Sequence, residues 1–434
     1  MAYDVAIVGG GPAGYLAAER ASEAGLTALL VEENKVGGVC LNEGCIPTKA
    51  LLNSAKNNRK HADAMTNKDK VVTTLVRGVT ATLKAKKVEV VAGTADVAKK
   101  SDQFEILVGE ERYLANQVLL ATGSVAAIPP IDGLSNGMQN GFVLTSREIL
   151  NLETLPGKLV ISGGGVIGLE MAVYFRSMGS EVTIVEALLS VGGSIEPEAA
   201  AFLVGMLRKK KIEVFTDAKV TAVTRQGVAI ETKQGQKELA ADTVLLCVGR
   251  RPAVGQFQKL GVLIENGAVK TDNHMRTSVR GVYAAGDING KYMLAHTAYR
   301  EAEVAVNNMA GTDDTMDYRA VPGVIYTSPE VAFVGLLEQE AKLQYANVVA
   351  TKTSINISGR HVAEQGLSDG FCKLVVDKDK NIILGATIVG AYASEIIYSL
   401  CLMIQNKIPI DAVKKTIFPH PSVSEVIRES IFSI

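Results

Sequence analysis

The same glycine-rich turn occurs twice in this chain, and that repeat limits its fold more than any other feature. Residues 4–8, DVAIV, form an apolar run ending in GGGPAG, followed by the amphipathic stretch YLAAERASEAG and the apolar run TALLVE. The second copy is KLVISGGGVIGLEMAVYFRSMGSEVTIVE. Gly9, Gly11 and Gly14 fit G-x-G-x-x-G, and Gly163, Gly165 and Gly168 fit it again. Each copy reads strand, turn, helix, strand, and each closes on an acid, Glu32 and Glu186, at the same spacing from the first glycine. The first glycine allows the tight turn, the second lets a pyrophosphate approach the backbone, and the third lets the helix pack against the strand. The helix N-terminus then offers free N–H groups to the phosphates, and the acid can accept from a ribose 2′-OH. One such motif is weak evidence; two in register predict two Rossmann-like dinucleotide-binding domains.

Two dinucleotide sites suit one tightly held flavin and one exchangeable nicotinamide, because hydride transfer needs a donor and an acceptor. Two further apolar runs end in glycine turns: VLLATGS at 118–124, with Thr122 and Gly123, and GVYAAGDING at 281–290, where Asp287 follows a strand end. The expected map is a first dinucleotide-binding domain over 1–145 and a second over 146–272. A return to the first domain over 273–316 and a C-terminal region over 317–434 complete it. In that last region FCKLVVDKDKNIILGATIVG carries a hairpin signal with helices after it, so an α+β domain is expected beside two α/β ones.

Composition narrows the classes of function. Lys plus Arg number 45 against 46 Asp plus Glu, with no basic stripe, so nucleic acid is not an expected partner. No charge-free apolar stretch is long enough to span a bilayer, and the N-terminus lacks the look of a signal peptide, so a cytoplasmic protein without a membrane partner is expected. Five cysteines are too few for a disulfide framework.

Two of those cysteines, Cys40 and Cys45, lie close together in GGVCLNEGCIPTKALL. A zinc half-site would need a second ligand pair, which the sequence lacks, so no metal is expected. A pair of buried thiols is a further reading. A redox-active dithiol is the reading that uses the position after the first βαβ unit, where the pair could take electrons from a flavin; a nearby helix start would lower thiol pKa. Such a site needs an acid–base group. His420, in IFPHPSVSEVIRES, lies near Glu425, which can orient and stabilise an imidazolium, and Ser422 or Ser424 could cap the helix that follows. His61, His274, His296 and His361 read as structural, as do Cys247, Cys372 and Cys401.

In GGGPAG, GGVCLNEGCIPTKALL, ATGS, GGGVIGLE, AAGD, LAHTA, YTSPEVAFVG and HPSVSE, in that order, the chain resembles the dihydrolipoamide dehydrogenases, a branch of the class I pyridine nucleotide-disulfide oxidoreductase family. The resemblance covers nearly the whole chain. It implies FAD, NAD and a homodimer built on the C-terminal domain. It makes Cys40 the interchange thiol and Cys45 the thiol facing the flavin, with His420 as acid–base, oriented by Glu425 and acting on the other subunit's Cys40. It places Lys49 near the flavin, paired with Glu170; Glu32 and Asp287 bind FAD and Glu186 the NAD ribose. The implied reaction oxidises dihydrolipoamide on a lipoyl-bearing protein of a 2-oxo acid dehydrogenase or glycine cleavage complex and reduces NAD⁺.

The stretch between LLNSAKNNRKHADAM and VVTTLVRGVTATLKAK is shorter than the family usually carries. The rivals are glutathione, mercuric and thioredoxin reductases, or a flavin electron carrier docking a thioredoxin-like partner. The tail RESIFSI lacks the cysteine pair expected of the last two reductases, and EALLSVGG lacks the arginines expected of NADPH users.

Overall fold

The structure, a computed structural model, describes residues 2–434 and divides into two compact units. The first takes in the chain up to Pro129, Thr145–Glu153 and Val248–Asp317; the second takes in Pro130–Leu144, Thr154–Cys247 and Tyr318–Ile434.

The first unit is built on a seven-stranded sheet. Its path runs Glu89–Ala92, Ala28–Glu32, Tyr3–Val8, Glu111–Leu120, Gln103–Val108, Ala95–Lys100, and Val282–Ala284 pairs beside Glu111–Leu120. The strand Glu111–Leu120 serves two pairings. Its first half runs antiparallel to Gln103–Val108, with Ala115 opposite Phe104; its second half runs parallel to Tyr3–Val8 and Val282–Ala284, both of which meet it at Val118. The parallel strands are apolar without alternation, as a sheet covered on both faces requires: Val5, Ala6, Ile7, Leu29, Leu30, Val118, Leu119 and Leu120 are all fully buried.

Two helices of this unit, Pro12–Glu23 and Ala295–Met309, pack against each other. Small side chains permit the approach: Ala13, Ala17, Ala18 and Ala21 are buried on one, Ala298, Ala302 and Ala305 on the other. Gly286 fits between them at φ +79°, where a Cβ would meet Ala13 Cβ at 3.3 Å and Ala298 Cβ at 3.4 Å. The short stretch noted in the sequence lies within one uninterrupted helix, His61–Ala85, whose Lys68 is buried and donates to the Leu150 carbonyl at 2.9 Å.

The second unit repeats the motif. Its parallel sheet runs Glu213–Phe215, Glu181–Val185, Lys158–Ser162, Thr243–Leu246, Val143–Leu144, with a three-stranded antiparallel sheet over Lys219–Ala240. A five-stranded antiparallel sheet follows, ordered Pro322–Ile325, Glu330–Gly335, Ile382–Gly390, Phe371–Asp377, Val348–Ser354. The hairpin expected in the sequence joins Phe371–Asp377 to Ile382–Gly390, closing at Asp377 opposite Ile382. Ile397, Leu400 and Ile404 of helix Ala393–Gln405 and Val426, Ile427 and Ile431 of helix Glu425–Phe432 belong to the core of this sheet. Burial of each such side chain is worth about 1.5–3 kcal/mol. The α/β and α+β classes expected from the sequence are those observed. Among the described residues, no helix is long and apolar enough to cross a membrane.

Candidate active site

The two glycine turns have the same geometry. Gly9 and Gly163 take φ +104° and +112°, a region that favours glycine. A Cβ on Gly14 would stand 1.7 Å from the Gly9 carbonyl oxygen, and one on Gly168 2.0 Å from that of Gly163, so only glycine lets the helix seat on its own turn. Gly11 and Gly165 cap their helices without a side-chain bond, and a Cβ on Gly165 would meet nothing within 4 Å. Helix N–H groups open to a phosphate result.

Each acid is fixed by its own loop. Glu32 Oε2 accepts from Gly10 N at 2.6 Å and Oε1 from Asn34 N at 2.8 Å. Glu186 Oε2 accepts from Gly164 N at 2.6 Å and Oε1 from Leu188 N at 2.7 Å. A Cβ on Gly10 or Gly164 would come within 3.1 Å of the acid's own Cβ. The middle glycine of each GGG thus makes room for the carboxylate, a role the G-x-G-x-x-G pattern does not reveal. With charge-assisted bonds holding the rotamer, the remaining lone pairs of each acid are preset for ribose hydroxyls. The residues present fit two dinucleotides.

Behind each turn a second strand end closes the floor. Ala121 N donates to Val8 O at 2.8 Å, and Cys247 N to Ser162 O at 2.9 Å. The segments VLLATGS and VLLCVGR therefore belong to the same repeat. Burial, then the Glu186 charge, pushes the Cys247 thiol up to about 12. In the first unit, Gly123 turns at φ +69° and Thr122 Oγ1 donates to Ala253 O at 2.9 Å. Asp287, at the start of a 3-10 turn, accepts from Ser124 Oγ, which in turn accepts from Arg250 Nε at 2.7 Å. Burial raises the Asp287 pKa against the pull of Ser124 and Arg250. Glu301, fully buried, accepts from Gly286 N at 2.6 Å and so holds the Asp287 turn in place.

The dithiol segment is fastened to the first glycine turn. Gly37 N donates to Gly10 O at 2.8 Å. Gly37 and Gly38 take φ +101° and +55°, and a Cβ on Gly38 would lie 2.6 Å from Gly11 Cα. The chain then forms two helices, Gly38–Glu43 and Cys45–Lys56, broken at Gly44. Cys40 lies in the first and Cys45 opens the second, with Lys49 one turn further on. Glu43 pairs with Arg147 Nε at 2.5 Å, which ties the segment to Thr145–Glu153.

The two thiols are hydrogen-bonded to each other. That bond, followed by burial and the Cys45 charge, raises the Cys40 pKa, with Lys49 opposing. The lowering expected from a helix start does not hold for Cys40. A hydrogen-bonded pair shares one charge readily and resists a second.

In the second unit, His420 Nδ1 lies 2.8 Å from Glu425 Oε1, and Glu425 Oε2 accepts from Ser422 N at 3.0 Å. The His420 bond first, then the Ser422 amide, lowers the Glu425 pKa. The imidazole is 78% exposed, while Glu425 is mostly covered. Ser424 occupies the N-cap of helix Glu425–Phe432 without a side-chain bond, so neither serine supplies the expected cap. Glu170 is buried and accepts from Tyr326 N at 3.0 Å. His61 meets Leu152 O, His274 meets Asp314 O and His361 meets Ser368 Oγ, all structural contacts.

Residues 3–302 match the family model described as pyridine nucleotide-disulphide oxidoreductase, and residues 321–431 match that family's dimerisation domain. The dihydrolipoyl dehydrogenase of Chlamydia muridarum is 37% identical over 99% of this chain and 96% of its own; that of Bacillus subtilis is 34% identical over 99% and 98%. The Cu(II) complex of the HOCl-induced flavoprotein disulfide reductase RclA from Escherichia coli matches at a TM-score of 0.90 and 26% identity, covering 100% of both chains. The resemblance carried by the motifs is borne out along the whole chain. The chain belongs to the pyridine nucleotide-disulphide oxidoreductase family.

Proposed function

We propose that the protein is a dihydrolipoyl dehydrogenase that oxidises protein-bound dihydrolipoamide and reduces NAD⁺. The observation that carries this reading is the dithiol segment seated on the first glycine turn, Gly38 against Gly11 and Gly37 bonded to Gly10. The relatives named dihydrolipoyl dehydrogenase, similar over nearly the full chain, support the choice of substrate.

FAD is held by Gly9, Gly11, Gly14, Glu32, Thr122, Gly123 and Asp287 in the domain formed by 1–145 and 273–316. NAD is held by Gly163, Gly165, Gly168 and Glu186 in the domain formed by 146–272. FAD held by these residues would supply a two-electron acceptor between the reduced dithiol and NAD⁺. The chain's own residues do the thiol chemistry. His420 takes the proton of a substrate thiol, and the resulting thiolate attacks Cys40 of the Cys40–Cys45 disulfide, releasing Cys45 as thiolate. The imidazolium then gives its proton to the departing Cys40 sulfur and takes that of the second substrate thiol, which attacks the substrate sulfur of the mixed disulfide, frees Cys40 and closes the lipoamide ring. Glu425 fixes the imidazole tautomer through Nδ1 and leaves Nε2 to handle the proton. Lys49 adds a positive charge beside the pair.

The family's dimerisation domain supports a homodimer, formed here by residues 317–434, with Cys40 served by His420 of the partner subunit. Tyr398 and Leu402, one turn apart on helix Ala393–Gln405, and Ile417 leave apolar surface exposed for such a contact. The working partner is a lipoyl-bearing protein in the cytoplasm. The test is steady-state turnover: NADH should form from dihydrolipoamide and NAD⁺, and turnover only with reduced glutathione or only with NADP⁺ would contradict the reading.

A further inference from the structure

The Ser422 backbone is held from two sides. Its N–H donates to Glu425 Oε2 at 3.0 Å, and its carbonyl accepts from Ser358 Oγ at 2.9 Å. Ser422 Oγ donates to the Pro419 carbonyl at 2.7 Å and closes the turn across His420 and Pro421. A hydroxyl has one proton to give, so Ser424 Oγ, 2.7 Å away, is the donor to Ser422 Oγ. Every polar group of Ser422 is engaged, and its amide fixes the carboxylate that meets His420 Nδ1. Of these partners Ser358 alone comes from a distant part of the chain. It is fully buried and forms the N-cap of the short helix Gly359–Gln365, its Oγ accepting from His361 N at 3.2 Å. Its N–H donates to the Ile355 carbonyl at 3.1 Å. Ile355, also fully buried, fills the space at Gly370 and Gly390, where a Cβ would come within 2.9 Å and 1.9 Å of it, and its N–H donates to Gly370 O at 3.0 Å. A hydrogen-bonded path therefore runs from the five-stranded sheet through Ser358 and Ser422 to Glu425 and ends on His420.

We propose that Ser358 is a positioning residue for His420: by donating to the Ser422 carbonyl it fixes the turn that carries the imidazole against the sheet. The inference rests on the reading of His420 as the group that takes the substrate thiol's proton. Glu425 orients the ring relative to its own loop, and Ser358 orients that loop relative to the rest of the domain. An exposed imidazole on an untethered turn would sample many positions, and proton transfer needs one of them.

The test separates the two half-reactions of the holoenzyme by stopped-flow absorbance: reduction of the oxidised enzyme by dihydrolipoamide, which uses His420, and reoxidation of the reduced enzyme by NAD⁺, which does not. Two variants remove the hydroxyl, Ser358→Ala and Ser358→Gly; an N-cap tolerates glycine almost as well as serine, so the glycine form is read if the alanine form does not fold. Reduction should slow by roughly threefold to tenfold, the scale of one net hydrogen bond, while reoxidation stays at the wild-type rate. In a His420→Ala background the same substitution should cost nothing further, because a residue that acts through His420 has nothing left to position. A wild-type rate of reduction in the Ser358 variants overturns the proposal. So does equal slowing of both half-reactions, or the same loss in the His420→Ala background, either of which marks a general structural role. Wild-type reduction by His420→Ala itself would remove the functional reading and this proposal together, an outcome distinct from the other three.

Discussion

Glu425 grips His420 and its own chain at once: Oε1 meets Nδ1 at 2.8 Å while Oε2 takes the Ser422 amide at 3.0 Å. The imidazole is thereby held by a carboxylate that is itself held. Replacing His420 by Ala should lower kcat by roughly 10²–10⁴-fold, the usual contribution of a positioned acid–base group. Glu425→Gln, which keeps the shape and loses the charge, should lose less. Stopped assays of both variants at equal FAD content check the ranking; equal, wild-type kcat in both would remove His420 from the reaction.

The fixed carboxylate of Glu186 bears on nucleotide choice. In the proposed role it would accept from a 2′-OH and repel a 2′-phosphate. Beyond it stand Leu188 and Leu189, 63% and 76% exposed, where a phosphate would need cations. NAD⁺ should be preferred over NADP⁺ in kcat/KM, and Glu186→Ala should narrow the gap, chiefly by raising KM for NAD⁺. Equal kcat/KM values in the wild type would refute the assignment.

Gly38 has no room for a side chain. Its φ of +55° and the 2.6 Å separation between a Cβ and Gly11 Cα mean that Gly38→Ala must push the dithiol segment off the first glycine turn. Strain of that kind costs about 1–3 kcal/mol. Calorimetry should show a lower Tm, and the purified variant should retain less FAD. An unchanged Tm with full FAD content would mean that the two turns separate freely.

Lys373 is the buried centre of an ionic cluster, with Glu196 at 2.9 Å, Glu198 at 2.9 Å and Glu338 at 2.7 Å. Burial opposes its charge, but bonds to Glu338, Glu196 and Glu198 outweigh it and raise its pKa. Glu338 is held below the ordinary carboxylate range first by Lys342 and then by Lys373. A depressed carboxylate pKa stabilises the fold fully above the unfolded value, about 4.3, and the contribution fades as pH falls through the folded one. Lys373→Met leaves Glu196 and Glu198 without their cation and Glu338 with Lys342 alone, and should cost about 3–5 kcal/mol near pH 7. The deficit should shrink as acid neutralises the carboxylates. Denaturant melts at pH 7 and about pH 3 compare the two; a deficit that grows on acidification would have the sign reversed.

The fold was legible largely because a duplicated local pattern, strand, glycine turn, helix and acid, depends on backbone sterics within a short stretch. Cys40 with Cys45 and His420 with Glu425 were legible as pairs for the same reason: each lies within one turn of chain. Contacts between distant segments were not. Nothing local to Ser124, Arg250 and Asp287 announces that they form one buried chain. The direction of the Cys40 shift was also hidden, since it depends on how close the two thiols come. Gly10 and Gly164 could have been read, because each GGG carries one more glycine than the phosphate turn needs.

The central claim is that dihydrolipoamide electrons enter at Cys40 and Cys45 and leave to NAD⁺. The most direct measurement follows those two sulfurs anaerobically in the oxidised holoenzyme, trapping thiols with iodoacetamide and weighing the peptide that spans residues 37–52. Before substrate the peptide should carry a disulfide and no label. After one equivalent of dihydrolipoamide both cysteines should be labelled, and after NAD⁺ the disulfide should return. A peptide whose labelling does not change with either reagent would contradict the account.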